Sequence, residues 1–156
     1  STSEIFVQNY YGLPNEAMLD MGDFVGGLIK YFRKNPIPKL TIGGGFGKLT
    51  KLSQGHLDLH SGRSQIDFKE LAKNLKLLGA SKKICDHAES ANTANEVLNI
   101  AQKVGLPLAH LIAQKAGEAV RKALKNTKTE LNIMIIIRNS DQELNGELVG
   151  EAENNA

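Results

Sequence analysis

Apolar residues recur along this chain in two rhythms. Most follow helical spacing of three and four, and three short runs read as strands. Residues 3–11 (SEIFVQNYY) predict a short helix with Ser3 as N-cap and Gly12 closing it. Ala17 to Met21 predicts a brief strand. Asp23 is the expected cap of the next helix, where Phe24, Val25, Leu28, Ile29 and Phe32 form an apolar stripe. Pro36 and Pro38 end it and extend the chain into a strand at Leu40–Ile42. A strand–helix–strand series of this length is a βαβ pattern, which implies parallel pairing and a right-handed crossover.

Three glycines (Gly43, Gly44, Gly45) follow that strand, and Gly47 leads into a short helix over Lys48 to Gln54. Beyond Gly55 lies a polar loop holding His56, Asp58, His60, Ser61 and Arg63. Helices then dominate. Asp67 and Glu70 have capping-box spacing ahead of the stripe Phe68, Leu71, Ala72, Leu75, Leu78, and Gly79 is the C-cap. Ser81 caps a shorter helix through Ala88. Thr93 and Glu96 repeat the box before Ala94, Val97, Leu98, Ala101 and Val104, with Gly105 ending that helix. Pro107 opens a longer one, whose end is crowded with Arg121, Lys122 and Lys125, a solvated face that complements the helix dipole.

Leu131 to Ile137 (LNIMIII) is almost continuous hydrophobe, the mark of a strand buried on both faces, with Arg138 at its end. Asp141 to Gly146 is turn-like, and residues 151–156 (EAENNA) read as a frayed tail. No internal repeat appears. The pattern describes an α/β layered domain over residues 1–150, with a mainly parallel sheet of three to four strands and helices on both faces.

Bulk properties narrow the function classes. A chain of 156 residues fits one domain and buries roughly 68–70% of its extended-chain surface. Hydrophobic content of 41% and charged content of 23% are ordinary for a globular protein. A net charge of +2 does not by itself imply a nucleic-acid or membrane surface. No apolar run approaches the ~20 residues that span a bilayer, and no signal-peptide pattern opens the chain. The single cysteine, Cys85, fits a reducing cytosol and sits on a helical pattern as a small buried hydrophobe, so a cytoplasmic location is expected.

The chemistry concentrates after the first glycines. Glycines at a strand end let backbone N–H groups approach a ligand. A helix starting there adds unpaired donors and partial positive charge, and Lys48 and Lys51 add full charges, so the stretch favours an anion. It is not a Walker A loop: Leu49 follows Gly47–Lys48 where Ser or Thr is required, and Ile42 stands in the first glycine position. The dinucleotide fingerprint fails too, because counting from Gly43 its last glycine falls on Lys48. His56, Asp58 and His60 alternate, so an extended backbone puts all three on one face. That spacing admits a metal site, but no other histidine or cysteine cluster supports one, and no protein metal site is expected. The other readings are a polar pocket wall, with Asp58 or His60 as proton acceptor or substrate orienter, and loop histidines bonded to backbone.

Residues 43–61, GGGFGKLTKLSQGHLDLHS, resemble the signature of the cobalt-precorrin-5B C(1)-methyltransferase family, CbiD. Gly12-Leu13-Pro14-Asn15-Glu16-Ala17, Met21-Gly22-Asp23-Phe24-Val25-Gly26 and Ala91-Asn92-Thr93-Ala94 are similar to further family stretches, in order and with spacing kept. The resemblance implies methyl transfer from S-adenosylmethionine to carbon 1 of a cobalt-bound tetrapyrrole edged with acetate and propionate groups, in the oxygen-independent route to cobalamin. It places Gly43, Gly44, Gly45, Gly47, Lys48, Lys51, His56, Ser61, Arg63 and Asp23 around substrate or donor, with Asp58 and His60 catalytic. Asp20, Asp23 and Asp58 are candidates to face the sulfonium, and Arg138 lies at another strand end. Gly44 stands where many members carry histidine, so no imidazole role carries over. The resemblance covers only the C-terminal part of the family. It implies a further N-terminal domain outside these residues, leaves a homodimer open, and implies that a central strand preceding Ser1 is missing from the sheet, whose neighbours then have unpaired edges. A non-catalytic corrinoid-binding module is the alternative.

Overall fold

The computed structural model describes residues 1–125, 127–139 and 146–154. Among these, seven α-helices and three strands form an α/β fold: α1 (Thr2–Tyr11), α2 (Val25–Lys34), β1 (Lys39–Gly44), α3 (Phe46–Ser53), α4 (Phe68–Leu77), α5 (Lys82–Glu89), α6 (Ala94–Lys103), α7 (Leu108–Leu124), β2 (Glu130–Arg138) and β3 (Gly146–Asn154).

The sheet has order β1-β2-β3 and is mixed. β1 and β2 run parallel in register from Lys39↔Glu130 to Gly44↔Ile135, while β2 and β3 are antiparallel. The expectation of a mainly parallel sheet is thus corrected by its last strand. Residues 151–154, expected to fray, belong to β3: Glu151 pairs with Met134 and Asn154 with Leu131. A bulge accompanies this pairing, since Ile135 opposes Gly150 and Ile136 opposes Leu148, leaving Val149 as the extra residue. The expected turn over Asp141 to Gly146 lies outside the described residues except for Gly146, which begins β3.

The strand expected at Ala17–Met21 is also absent. Asn15–Ala17 form a single 3-10 turn and the following residues pair with no strand, so the expected βαβ unit does not form. β1 has β2 as its one neighbour among the described residues, and its other edge is unpaired.

β2 is the spine, buried from Leu131 to Ile136. Successive residues of a strand face opposite sides. Leu131, Ile133 and Ile135 join the main core with Leu40, Ile42, Ile112, Ala116 and Val120, whereas Met134 and Ile136 pack with Val7, Phe6 and Tyr11 of α1. α7 and α1 therefore cover opposite faces of β2. Cys85 is half-buried against the main core, as a small hydrophobe.

Caps correct several boundaries. Ser1, not Ser3, caps α1: its Oγ accepts from Glu4 N at 3.2 Å, while the Glu4 carboxylate accepts from Ser1 N. Gly12 closes the helix at φ 64°, as expected. Asp67 caps α4 through Lys69 N and Glu70 N, and its own N–H donates to Gln54 Oε1 at 2.8 Å. Thr93 caps α6, and the Glu96 carboxylate accepts from Asn92 N, one residue further back than a capping box requires. Asp23 is not the cap of α2, whose N-cap is Phe24 with no side-chain cap hydrogen bond.

Candidate functional site: a cleft at the open edge of β1

β1 runs two residues further than the sequence indicates. Gly43 and Gly44 lie in the strand, Gly45 is the N-cap of α3, and the helix already begins at Phe46. The two strand glycines answer to packing. A Cβ on Gly43 would stand 2.6 Å from Val7 Cγ2, and one on Gly44 2.5 Å from Leu49 Cδ2. Around Gly45 and Gly47 a Cβ would meet nothing within 4 Å. α3 has no side-chain cap, so its first-turn N–H groups are left for another acceptor.

A cavity of about 960 Å³ opens here. Its floor is the unpaired edge of β1 from Lys39 to Gly44, continuing through Gly45, Phe46, Gly47 and Lys48. The segment Ala17–Gly22 forms the facing wall, Val7 and Tyr11 of α1 and Leu28 and Phe32 of α2 add apolar surface, and Arg138 stands at the end of β2. Arg138 Nε donates to Thr2 Oγ1 at 3.3 Å. The lining of the cleft is mixed: apolar side chains share it with Glu4, Asp20, Lys39, Thr41, Lys48 and Arg138.

The predicted residues divide into two groups. Gly43, Gly44, Gly45, Gly47 and Lys48 line the cavity, as does Asp20, whose Oδ1 accepts from Gly22 N at 2.9 Å. Lys51, His56, Asp58, His60, Ser61 and Arg63 do not line it. Their loop is fastened alongside: Leu59 N donates to Asp23 O at 2.7 Å and Gly26 N to Leu57 O at 2.9 Å, and Lys51 Nζ donates to Leu59 O at 3.0 Å.

Asp23 links the groups. Its carboxylate lies 3.0 Å from Lys48 Nζ, which also donates to Gly22 O at 3.4 Å. The Lys48 ammonium, reinforced by His60 and Lys51 nearby, holds the Asp23 carboxyl below its ordinary range. Asp58 is engaged by Arg63 through Nε–Oδ2 and, at 3.2 Å, Nη2–Oδ1, and accepts from His60 N at 3.1 Å. The Arg63 hydrogen bond, then that backbone donor, hold Asp58 below its ordinary range and raise Arg63 in turn. His60 Nδ1 accepts from Gly62 N at 3.0 Å. Among the described residues no three His, Cys, Asp or Glu side chains converge in a metal-binding group.

Sequence reasoning left Tyr11, Lys39, Asn95 and Asn99 unflagged, although all four line the cavity. Lys39 Nζ stands 5.1 Å from the Tyr11 ring centroid. Only the i, i+4 spacing of the two asparagines was readable in advance.

These features define an α/β domain with a cleft along the open edge of a strand. Residues 58–152 match the family model described as CbiD, C-terminal domain, and the chain belongs to that family. It is 48% identical over 97% of its length to a cobalt-precorrin-5B C(1)-methyltransferase of Rhodospirillum rubrum, of which it covers 41%. Relatives of the same name include one from Paramagnetospirillum magneticum (45% identity, 97% of this chain, 40% of the relative) and one from Brucella anthropi (48%, 90% and 38%). The chain thus spans about two fifths of these curated relatives. No solved structure matches it. Among the described residues, no helix is long and apolar enough to cross a membrane.

Proposed function

We propose that this domain takes part in S-adenosylmethionine-dependent methylation of carbon 1 of cobalt-precorrin-5B, in the anaerobic route to cobalamin, and that the cleft along β1 holds the tetrapyrrole. The observation that carries this reading is the juxtaposition of the uncapped start of α3, Gly45, Gly47 and Lys48 with a cavity of about 960 Å³ whose walls carry both apolar and polar side chains. Apolar walls suit the macrocycle. Amide donors and Lys48 suit its acetate and propionate groups. The cobalt travels with the substrate, so the protein needs no ligands for it.

The methyl donor supplies an electrophilic carbon, and the protein's task is to align donor and acceptor. Asp20, one of two acidic residues in the cavity lining with Glu4, would face the sulfonium. Asp23 is neutralised by Lys48 and acts by holding that lysine at the cleft. The loop carrying His56, Asp58, His60, Ser61 and Arg63 serves as the outer brace of that pair.

Calorimetric titration with cobyrinic acid, a cobalt corrinoid with free peripheral acids, tests the reading. Binding is expected, with Lys48→Ala weakening it about tenfold or more; unchanged affinity in that variant removes the glycine turn from the site. Absence of any S-adenosylmethionine heat in both this chain and a chain of the relatives' full length would favour a corrinoid-binding module over an enzyme.

A further inference from the structure

The cleft has a wall that belongs neither to the glycine turn nor to the polar loop. Asn95 and Asn99 of α6 line it, with Leu98 beside them. Residues four apart share a helix face. Asparagine is a poorer helix former than alanine because its amide competes for nearby backbone groups. Two other asparagine amides are bonded, Asn35 Nδ2 donating to Tyr31 O and Asn132 Nδ2 to Tyr11 Oη and Glu151 Oε1, whereas the buried Asn74 Nδ2 has no partner among the described residues. Around the start of α6 the side-chain bonds are those of Thr93 and Glu96, and none among the described residues joins the Asn95 or Asn99 amide to the protein. Two weak helix formers on one face, exposed and turned to a cavity without a bond in return, break a local rule that folding does not require.

We propose that Asn95 and Asn99 are specificity-determining residues whose side-chain amides receive a peripheral carboxylate of the tetrapyrrole; this rests on the reading of the cleft given above. The polar groups around the cavity are dispersed, with Lys48 at the start of α3, Arg138 at the end of β2 and the two amides on α6. A ligand with acids on several edges can engage them together. A methyl donor has one carboxylate to offer the two cations, so its remaining contacts to the amides would come from hydroxyl and ring groups. Each NH₂ group donates to a carboxylate oxygen without adding charge, so the pair selects for position.

The test compares wild type, Asn95→Ala/Asn99→Ala, Asn99→Asp and Lys48→Ala in the same chain, by thermal melting and by calorimetry with cobyrinic acid and, separately, S-adenosylmethionine. The double alanine variant is expected to melt at or above the wild-type temperature while binding cobyrinic acid about tenfold more weakly, with Asn99→Asp weaker than Asn99→Ala. Wild-type affinity in the double variant, alongside a loss in Lys48→Ala, overturns the role of the asparagines and leaves the cleft reading standing. A lowered melting temperature assigns the pair to the scaffold, and a loss confined to S-adenosylmethionine assigns it to the donor; either overturns the proposal. Failure of the wild-type chain to bind cobyrinic acid overturns both readings together.

Discussion

Gly43 and Gly44 are glycines because of what stands against them, whereas Gly45 and Gly47 are not crowded at all. The distinction separates stability from binding. Gly44→Ala drives a methyl group against the fully buried Leu49, and Gly43→Ala against Val7, so each is expected to cost about 1–3 kcal/mol as overpacking, measured by urea denaturation. Gly45→Ala, with φ −71° and open space, is expected to change stability by under about 0.5 kcal/mol, yet to weaken an anion that approaches the backbone there. Lys48, Asp23, Asp58 and Arg63 form the charged fringe. Both carboxyls are depressed, so the unfolded chain takes up their protons first as acid is added. Their contribution is complete above the ordinary carboxylate range (about 3.9 for Asp) and is lost as pH falls through the depressed values. Lys48→Ala should return Asp23 toward its ordinary range and leave Asp58 below it, which carboxyl NMR titration can follow residue by residue. A joint rise would show that the two pairs are one coupled network.

At the scale of elements, α7 shows how a bland reading fails. Arg121 reads in the sequence as a solvated cation near a helix end. In the fold its guanidinium donates to Thr127 O, Thr129 O, Asn154 O and Asn154 Oδ1, fastening the helix to the start of β2 and the end of β3. Arg121→Ala is expected to cost about 1.5–3 kcal/mol, with Arg121→Lys recovering little because an ammonium cannot fork to four acceptors. The helices and the buried run of β2 were legible because helical spacing and continuous hydrophobe are local signals. β3 was not, because GELVGEAEN has neither clean alternation nor strong β propensity; pairing with β2 and packing against α7 override it. A trace was present in Gly150, whose Cβ would stand 2.5 Å from Ala109 O, and in the Asn145–Gly146 pair ahead of the run. The segment Ala17–Met21 erred the other way. Its apolar content suited a strand, but extended residues without a neighbouring ladder are not one. The sequence placed the glycine stretch at a strand end, where it lines the cavity, whereas the position of the histidine loop outside the cavity goes with the bridge between Phe24 and Asp58, a contact that no local pattern announces.

For the whole molecule, the cleft divides a well-packed body from a thinner shell. Leu49, Leu71, Leu75, Ile112, Val120, Ile133 and Ile135 are fully buried and join α3, α4, α7 and the sheet. On the other side of β2, among the described residues, Val7 of α1 forms a small buried cluster with Met134 and Ile136. The segment Ala17–Gly22 has little beneath it, and Leu19 is 62% exposed. Local opening follows from such differences in burial, so α1, residues 17–22 and the open edge of β1 should exchange amide hydrogens well before α7 and β2. A ligand that binds only the folded cleft stabilises it by RT ln(1 + [L]/Kd), about 2.7 kcal/mol at a hundredfold excess over Kd. Hydrogen exchange with and without cobyrinic acid should therefore show protection confined to α1, residues 17–22, β1 and the start of α3, with α4 and α5 unchanged. Protection centred on residues 56–63 instead would move the ligand out of the cleft and onto the histidine loop, and would make His60 and Asp58, rather than Lys48 and the glycine turn, the residues to mutate next.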